Sequence, residues 1–171
     1  MPLIAKKRVK VRQVSIPPEY NHIEIVCVDI YTNSSICRVI IYYRPGGFNS
    51  ESVNYTLKSI QCLTHLCNDT KLVCIMGDFN LPEMNWKNYS HPNNKVYDLF
   101  TSFIDEMGLH QYVESPTRQS NILDLLLSND ACFISQIQMM PPIAQSDHNT
   151  LVFKPNLPRH PTMLHCQNYQ H

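Results

Sequence analysis

No apolar run in the 171 residues approaches the roughly 18 needed to cross a bilayer; the longest, Ile23 to Ile30 and Val39 to Tyr43, are strand-length. No secretory leader is expected, because Lys6, Lys7 and Arg8 interrupt the one apolar start. The Asn-x-Ser/Thr matches at Asn33, Asn54, Asn68 and Asn88 then read as chance. No Cys-x-x-Cys pair occurs, and seven cysteines at irregular spacing argue against a disulfide framework or a zinc knuckle. Cys62 and His65 share a helix face and could be half a zinc site, but no second pair at ligand spacing follows, so buried reduced thiols are the better reading. Net charge is absent too, with 14 bases against 14 acids. Lys6, Lys7, Arg8, Lys10 and Arg12 crowd the start, leaving residues 13–171 with an excess of acids. A broad basic surface for gripping nucleic acid is thereby excluded. The acidic body suits a cation site or an ordinary solvated surface, and the basic start suits a strand's solvent face better than a phosphate clamp.

What remains is a chain of one-domain length with ordinary apolar content, 43% hydrophobic, which excludes disorder for most of it. There is no internal repeat or low-complexity block. Alternation over Lys6 to Val14 predicts a strand, and β-branched density predicts further strands over His22 to Ile30 and Cys37 to Tyr43, the latter ended by Arg44-Pro45-Gly46-Gly47. Ser50 can cap a helix running to about Cys67. Lys71 to Met76, apolar on both faces, predicts a central strand. A helix follows over Val96 to Met107, stopped by Gly108, and then strands over Ile122 to Leu127, Cys132 to Ile137 and Asn149 to Phe153. From Pro155 onward periodicity fails, which predicts a flexible tail over 155–171. Runs of strands with two helices imply an α/β sandwich.

Three places carry candidate chemistry. Gly77-Asp78-Phe79-Asn80 follows the most apolar strand, and in extended chain Asp78 and Asn80 share a face with Phe79 opposite. A carboxylate and a carboxamide aimed together can bind a metal, orient water or hold a phosphate oxygen; a capping Asp with a turn Asn is the plainer alternative. Ser146-Asp147-His148 precedes the last strand, and a catalytic His needs a carboxylate to fix its tautomer. Asp124, an acid inside the otherwise apolar Ile122 to Leu127, could be that partner or could bond a backbone amide. Tyr43 ends its strand and could donate to a phosphate, or be a core tyrosine with a wet tip.

The ordered set Tyr43-Arg44-Pro45, Gly77-Asp78-Phe79-Asn80, Pro116-Thr117-Arg118, Ile122-Leu123-Asp124-Leu125 and Ser146-Asp147-His148 resembles the endonuclease/exonuclease/phosphatase superfamily. In particular it is similar to the apurinic-like endonuclease domain of non-LTR retrotransposons, the short step from Pro-Thr-Arg to Ile-Leu-Asp-Leu favouring that group over phosphatases or lipid phosphodiesterases. The resemblance covers about Lys6 to Lys154, so residues 1–154 are expected to be the domain. It implies a four-layer α/β/β/α sandwich and phosphodiester cleavage with Mg²⁺ or Mn²⁺. It implies that Asp78 polarises the attacking water, that Asn80 orients water or phosphate, and that His148 holds a phosphate oxygen. Asp124 would orient His148, Asp147 would hold the metal or its water alongside Asp78, Tyr43 would contact the phosphate, and Thr117 would lie on the substrate side. DNA is the implied partner and the nucleus the implied location.

The family's first strands carry an Asn and a Glu, the latter its principal metal ligand, each in a short motif that is not found here. Glu19 and Glu24 are the early acids, and neither has the expected context. The expectation is therefore an incomplete sandwich holding the later part of the domain, with an exposed apolar edge and poor Mg²⁺ binding. Two further readings stand beside the nicking enzyme: an inert fragment of a decayed element or partial gene, and another superfamily phosphatase or phosphodiesterase.

Overall fold

β-Branched segments that cannot relax into helices set the frame. The computed structural model describes residues 9–32, 35–68, 70 and 72–157. In chain order its strands are β1 (Lys10–Gln13), β2 (Ile25–Tyr31), β3 (Ile36–Tyr43), β4 (Leu72–Asp78), β5 (His110–Gln111), β6 (Asp124–Ser128), β7 (Ile134–Met140) and β8 (Thr150–Pro155), and its helices are α1 (Ser50–Cys67) and α2 (Lys95–Glu106). Six strands form one sheet in the order β1-β2-β3-β4-β6-β5, and β7 and β8 form a separate antiparallel pair. β3 and β4 run parallel, joined through α1; the other pairs in the large sheet are antiparallel.

Alternation along the strands assigns the sheet's two faces. Ile40 and Tyr42 of β3, Val73 and Ile75 of β4 and Leu125 and Leu127 of β6 meet Leu63 and Leu66 of α1 and Phe100 and Phe103 of α2 in one core. Cys37 and Val39, Leu72 and Cys74, and Leu126 form a second core with Phe133, against which Ile137, Met139, Leu151 and Phe153 of the β7–β8 pair pack. The layers are thus helices, six-stranded sheet and two-stranded sheet; among the described residues no helix covers the outer side of the pair. This is the mixed α/β organisation expected. The exposed apolar side chains include Val9, Ile36, Met140, Ile143 and Val152.

Two details differ from the sequence reading. The N-cap of α1 is Asn49, whose side chain accepts from the Ser52 amide at 2.9 Å, with Ser50 as the first helical residue. The last strand runs on to Pro155, and the Asn156 amide donates to the Phe133 carbonyl at 2.6 Å. Most of the tail expected over 155–171 lies outside the described residues, as do Lys6 to Arg8 of the expected first strand. Buried Asp29 and Arg38 are register partners on β2 and β3, joined at 2.8 and 3.1 Å, and Arg38 also donates to the Leu66 carbonyl at 2.8 Å, tying α1 to the sheet. Cys27, Cys37, Cys62, Cys67 and Cys74 are buried free thiols, and burial pushes that of Cys37 up to about 11. Cys62 is wholly buried in the α1 core, so the half-site with His65 has no counterpart in the structure.

Candidate active site

Strand register assembles the first three candidates. Tyr43, Asp78 and Asp124 are consecutive cross-strand partners on β3, β4 and β6, so their side chains lie in one row on the same face of the sheet. The row forms where β3 and β4 end and β6 begins. Gly77 permits the close approach there: it has φ +139°, and a Cβ on it would lie 1.9 Å from the Tyr42 carbonyl oxygen. Phe79 then turns into the core, edge-on to Tyr42 and Phe100 with centroids 5.2 and 5.5 Å away.

Asn80 stands in the left-handed region, φ 49°, a conformation that asparagine tolerates. Its amide donates to Asp78 Oδ1 at 2.9 Å, and its Nδ2 donates to Asp78 Oδ2 at 3.2 Å and to the Arg44 carbonyl at 2.8 Å. The Asp78–Asn80 loop is held from beneath by Arg44, a wholly buried guanidinium. It donates to the carbonyls of Phe79 (2.7 Å), Gly47 (3.0 Å) and Asn80. Burial lowers the Arg44 pKa, and the three carbonyl dipoles offset the cost of burying its charge.

His148 enters from the loop before β8. The amide of Asn149 donates to the Thr117 carbonyl at 2.7 Å, and its side chain to the Pro116 carbonyl at 3.2 Å, which seats this loop on the 116–121 turn. His148 Nδ1 lies 2.7 Å from Asp124 Oδ2, while Nε2 is 3.9 Å from both Asp78 Oδ2 and Asp147 Oδ1. With Asp124 bonded to Nδ1, the ring presents Nε2 between two carboxylates. Burial pushes the Asp78 carboxyl above its ordinary value, and the Asp124 charge adds to the rise; the Asn80 amide, His148 and Arg118 oppose it.

Asp78, Asn80, Asp124 and His148 are therefore brought together, with Tyr43 beside them at the end of the row. Thr117 is fully buried, and its hydroxyl oxygen accepts from the amides of Leu123 and Asp124, both at 3.0 Å, so it supports the start of β6. Asp147 is largely exposed and ion-paired with Arg118, Oδ2 to Nη2 at 2.6 Å. Arg44 and Arg118 lie in the quoted motifs without an assigned role; their partners become visible only in the folded chain.

A hard divalent cation needs several oxygens converging on one point. Among the described residues no group of three or more His, Cys, Asp or Glu side chains could hold a metal ion. Asp78 accepts from Asn80 on both oxygens, and Asp147 is ion-paired with a guanidinium. The described side chains do not fit a metal site on their own. Beside the row, the 82–87 and 111–122 segments enclose a cavity of about 810 Å³ walled by Trp86, whose Nε1–H donates to the Ile122 carbonyl at 3.3 Å.

A layered α/β fold with an Asp-Asn loop and an Asp-paired histidine at the strand ends is what the resemblance to the endonuclease/exonuclease/phosphatase class implies. Within that class, the model of the endonuclease-reverse transcriptase family matches residues 36–152, and the chain belongs to this family. Solved structures agree on the fold. The endonuclease domain of TRAS1, a telomere-specific non-LTR retrotransposon, is 20% identical with a TM-score of 0.63, over 85% of this chain and 66% of that one. An endonuclease/exonuclease/phosphatase family protein from Leptotrichia buccalis is 18% identical with a TM-score of 0.54, over 78% of this chain and 54% of that one. A Neisseria 3′ phosphatase bound to product DNA hairpin is 13% identical with a TM-score of 0.57, over 88% of this chain and 71% of that one. The chain thus spans between about half and two thirds of the first two structures. The search of curated proteins finds no match.

Proposed function

We propose that this chain is a DNA endonuclease of non-LTR retrotransposon type, hydrolysing a phosphodiester to nick target DNA for priming of reverse transcription. The observation that carries the reading is the Asp124–His148–Asp78 arrangement, with His148 Nε2 held between carboxylates by an Nδ1 bond of 2.7 Å. In this reading Asp124 orients His148, and His148 Nε2 meets a non-bridging phosphate oxygen. Asp78, its carboxyl raised by burial, takes a proton from the attacking water. Asn80 holds Asp78 in place, and Tyr43, at the exposed end of the row, reaches the phosphate from the β3 side. Mg²⁺ or Mn²⁺ is the cofactor of the resemblance; no step is assigned to it, because the described side chains do not complete its site. Such an enzyme works where DNA is, in the nucleus.

That no group of three or more ligating side chains gathers among the described residues also favours a second reading, a family member without activity. Nicking of supercoiled plasmid by the purified chain separates the two, run with Mg²⁺, with Mn²⁺ and with EDTA beside His148→Ala. The enzyme reading expects slow nicking that the variant loses. No nicking above the variant, from a chain folded by circular dichroism, would leave the inert reading.

A further inference from the structure

The acids around His148 leave a charge problem that one residue is placed to solve. Asp78, Asp124 and Asp147 all lie near this ring, and a DNA phosphate brought to it would meet three carboxylates. The permanent cation beside them is Arg118, whose charge is felt at Asp78 and whose Nη2 is 2.6 Å from Asp147 Oδ2. We infer that Arg118, pinned by Asp147, is a phosphate-binding residue that takes a non-bridging oxygen of a DNA phosphodiester next to His148. This rests on the nuclease reading.

Three observations support it. First, Asp147 uses Nη2, while Arg118 Nε is buried with no hydrogen-bond partner among the described residues. A guanidinium suits a two-pronged match to a phosphate or carboxylate; Nε points inward, and Asp147 engages the outer end through Nη2 alone, which leaves Nη1 for a ligand. Second, the pair is exposed, 40% at Arg118 and 64% at Asp147, so it adds little to the stability of the fold and is open to a ligand. Third, the backbone beneath is fixed. Arg118 and Asn121 exchange amide–carbonyl bonds of 3.1 and 2.9 Å, Gln119 follows at φ 51°, and Thr117 is buried. The side chain therefore pivots from an anchored point. The carboxylate that the family resemblance gives to a cation is occupied by this guanidinium, which puts the positive charge on the protein itself.

The test is binding of a fluorescently labelled duplex by anisotropy in EDTA, where neither cleavage nor metal contributes. Arg118→Met is expected to bind roughly tenfold more weakly, with the slope of log affinity against log salt shallower by about 1. Arg118→Lys, which keeps the charge but not the fork, recovers only part of the loss, and Arg12→Met, on the far edge strand, serves as the control for charge alone. Equal affinities for Arg118→Met and Arg12→Met, with both variants folded, overturn the inference and leave the DNA reading standing. A wild-type chain that does not bind the duplex at all overturns both.

Discussion

His148 Nδ1 and Asp124 Oδ2 are 2.7 Å apart although 24 positions separate them in sequence. Asp124 sits on β6 and His148 on the loop before β8, and the 116–121 turn holds the two together through the Asn149 bonds. A partner that fixes the tautomer acts through the ring it holds. Asp124→Asn keeps the shape and changes the charge and the preferred ring proton. In the nicking assay it is expected to lower the rate by about 10² to 10⁴. Adding His148→Ala to it should cost little more, because the two act as a unit. Independent, additive losses from the two single changes would show that the pair does not work together.

Asp78 makes a pH prediction with a definite sign. Its folded pKa lies above the ordinary value of 3.8, with burial as the largest cause, so the fold disfavours the ionised form. The protonated acid's contribution to stability is complete below about 3.8 and is lost as pH rises through the folded value. Asp78→Asn removes that penalty. The variant is expected to melt a few degrees above wild type at pH 7 and to lose its advantage towards pH 4, while nicking disappears. Melting curves across that range decide it; a gap that widens on acidification would reverse the sign.

Thr117 is expected to matter for stability. Its hydroxyl oxygen satisfies two buried amides, those of Leu123 and Asp124. Valine has nearly the same shape and no acceptor, and an unpaired buried amide costs about 1–3 kcal/mol. Thr117→Val should therefore cost roughly 2–5 kcal/mol in urea denaturation, and Thr117→Ser much less. Equal stability of the two variants would place the hydroxyl's importance elsewhere.

The sequence showed the elements well where a single physical signal dominates. The β-branched run at β3, the doubly apolar β4 and the Gly108 stop after α2 fall within a residue or two of where they were expected. The ordered motifs also put Asp78, Asn80, Asp124 and His148 in one set. What stayed hidden depends on long-range pairing. The role of Arg44 exists because three carbonyls from the 47 and 79–80 turns converge on it, and that of Thr117 because β6 begins above it. The two-residue β5 is too short to carry any periodicity. The resemblance implies a metal-side role for Asp147; its ion-pair partner in space, Arg118, is 29 positions away by residue number and could not be read from the sequence.

Gly77 links the fold to the site most tightly. Tyr42 and Gly77 are cross-strand partners, and the next pair along is Tyr43 and Asp78. A methyl group on Gly77 would stand 1.9 Å from the Tyr42 carbonyl oxygen, a backbone atom that cannot move without parting β3 from β4, and φ is +139° besides. Gly77→Ala should therefore cost about 4 kcal/mol or more. It should also swing Asp78 out of line with Tyr43 and Asp124, so that any soluble product has lost its activity. Gly46 is the internal comparison, since a Cβ there meets nothing within 4 Å. Gly46→Ala is expected to change stability by no more than about 0.5 kcal/mol. Thermal melts of the two variants side by side check both expectations. Equal melting temperatures would mean that the strand ends relax apart at little cost, and that the row of Tyr43, Asp78 and Asp124 owes its alignment to the loops above it.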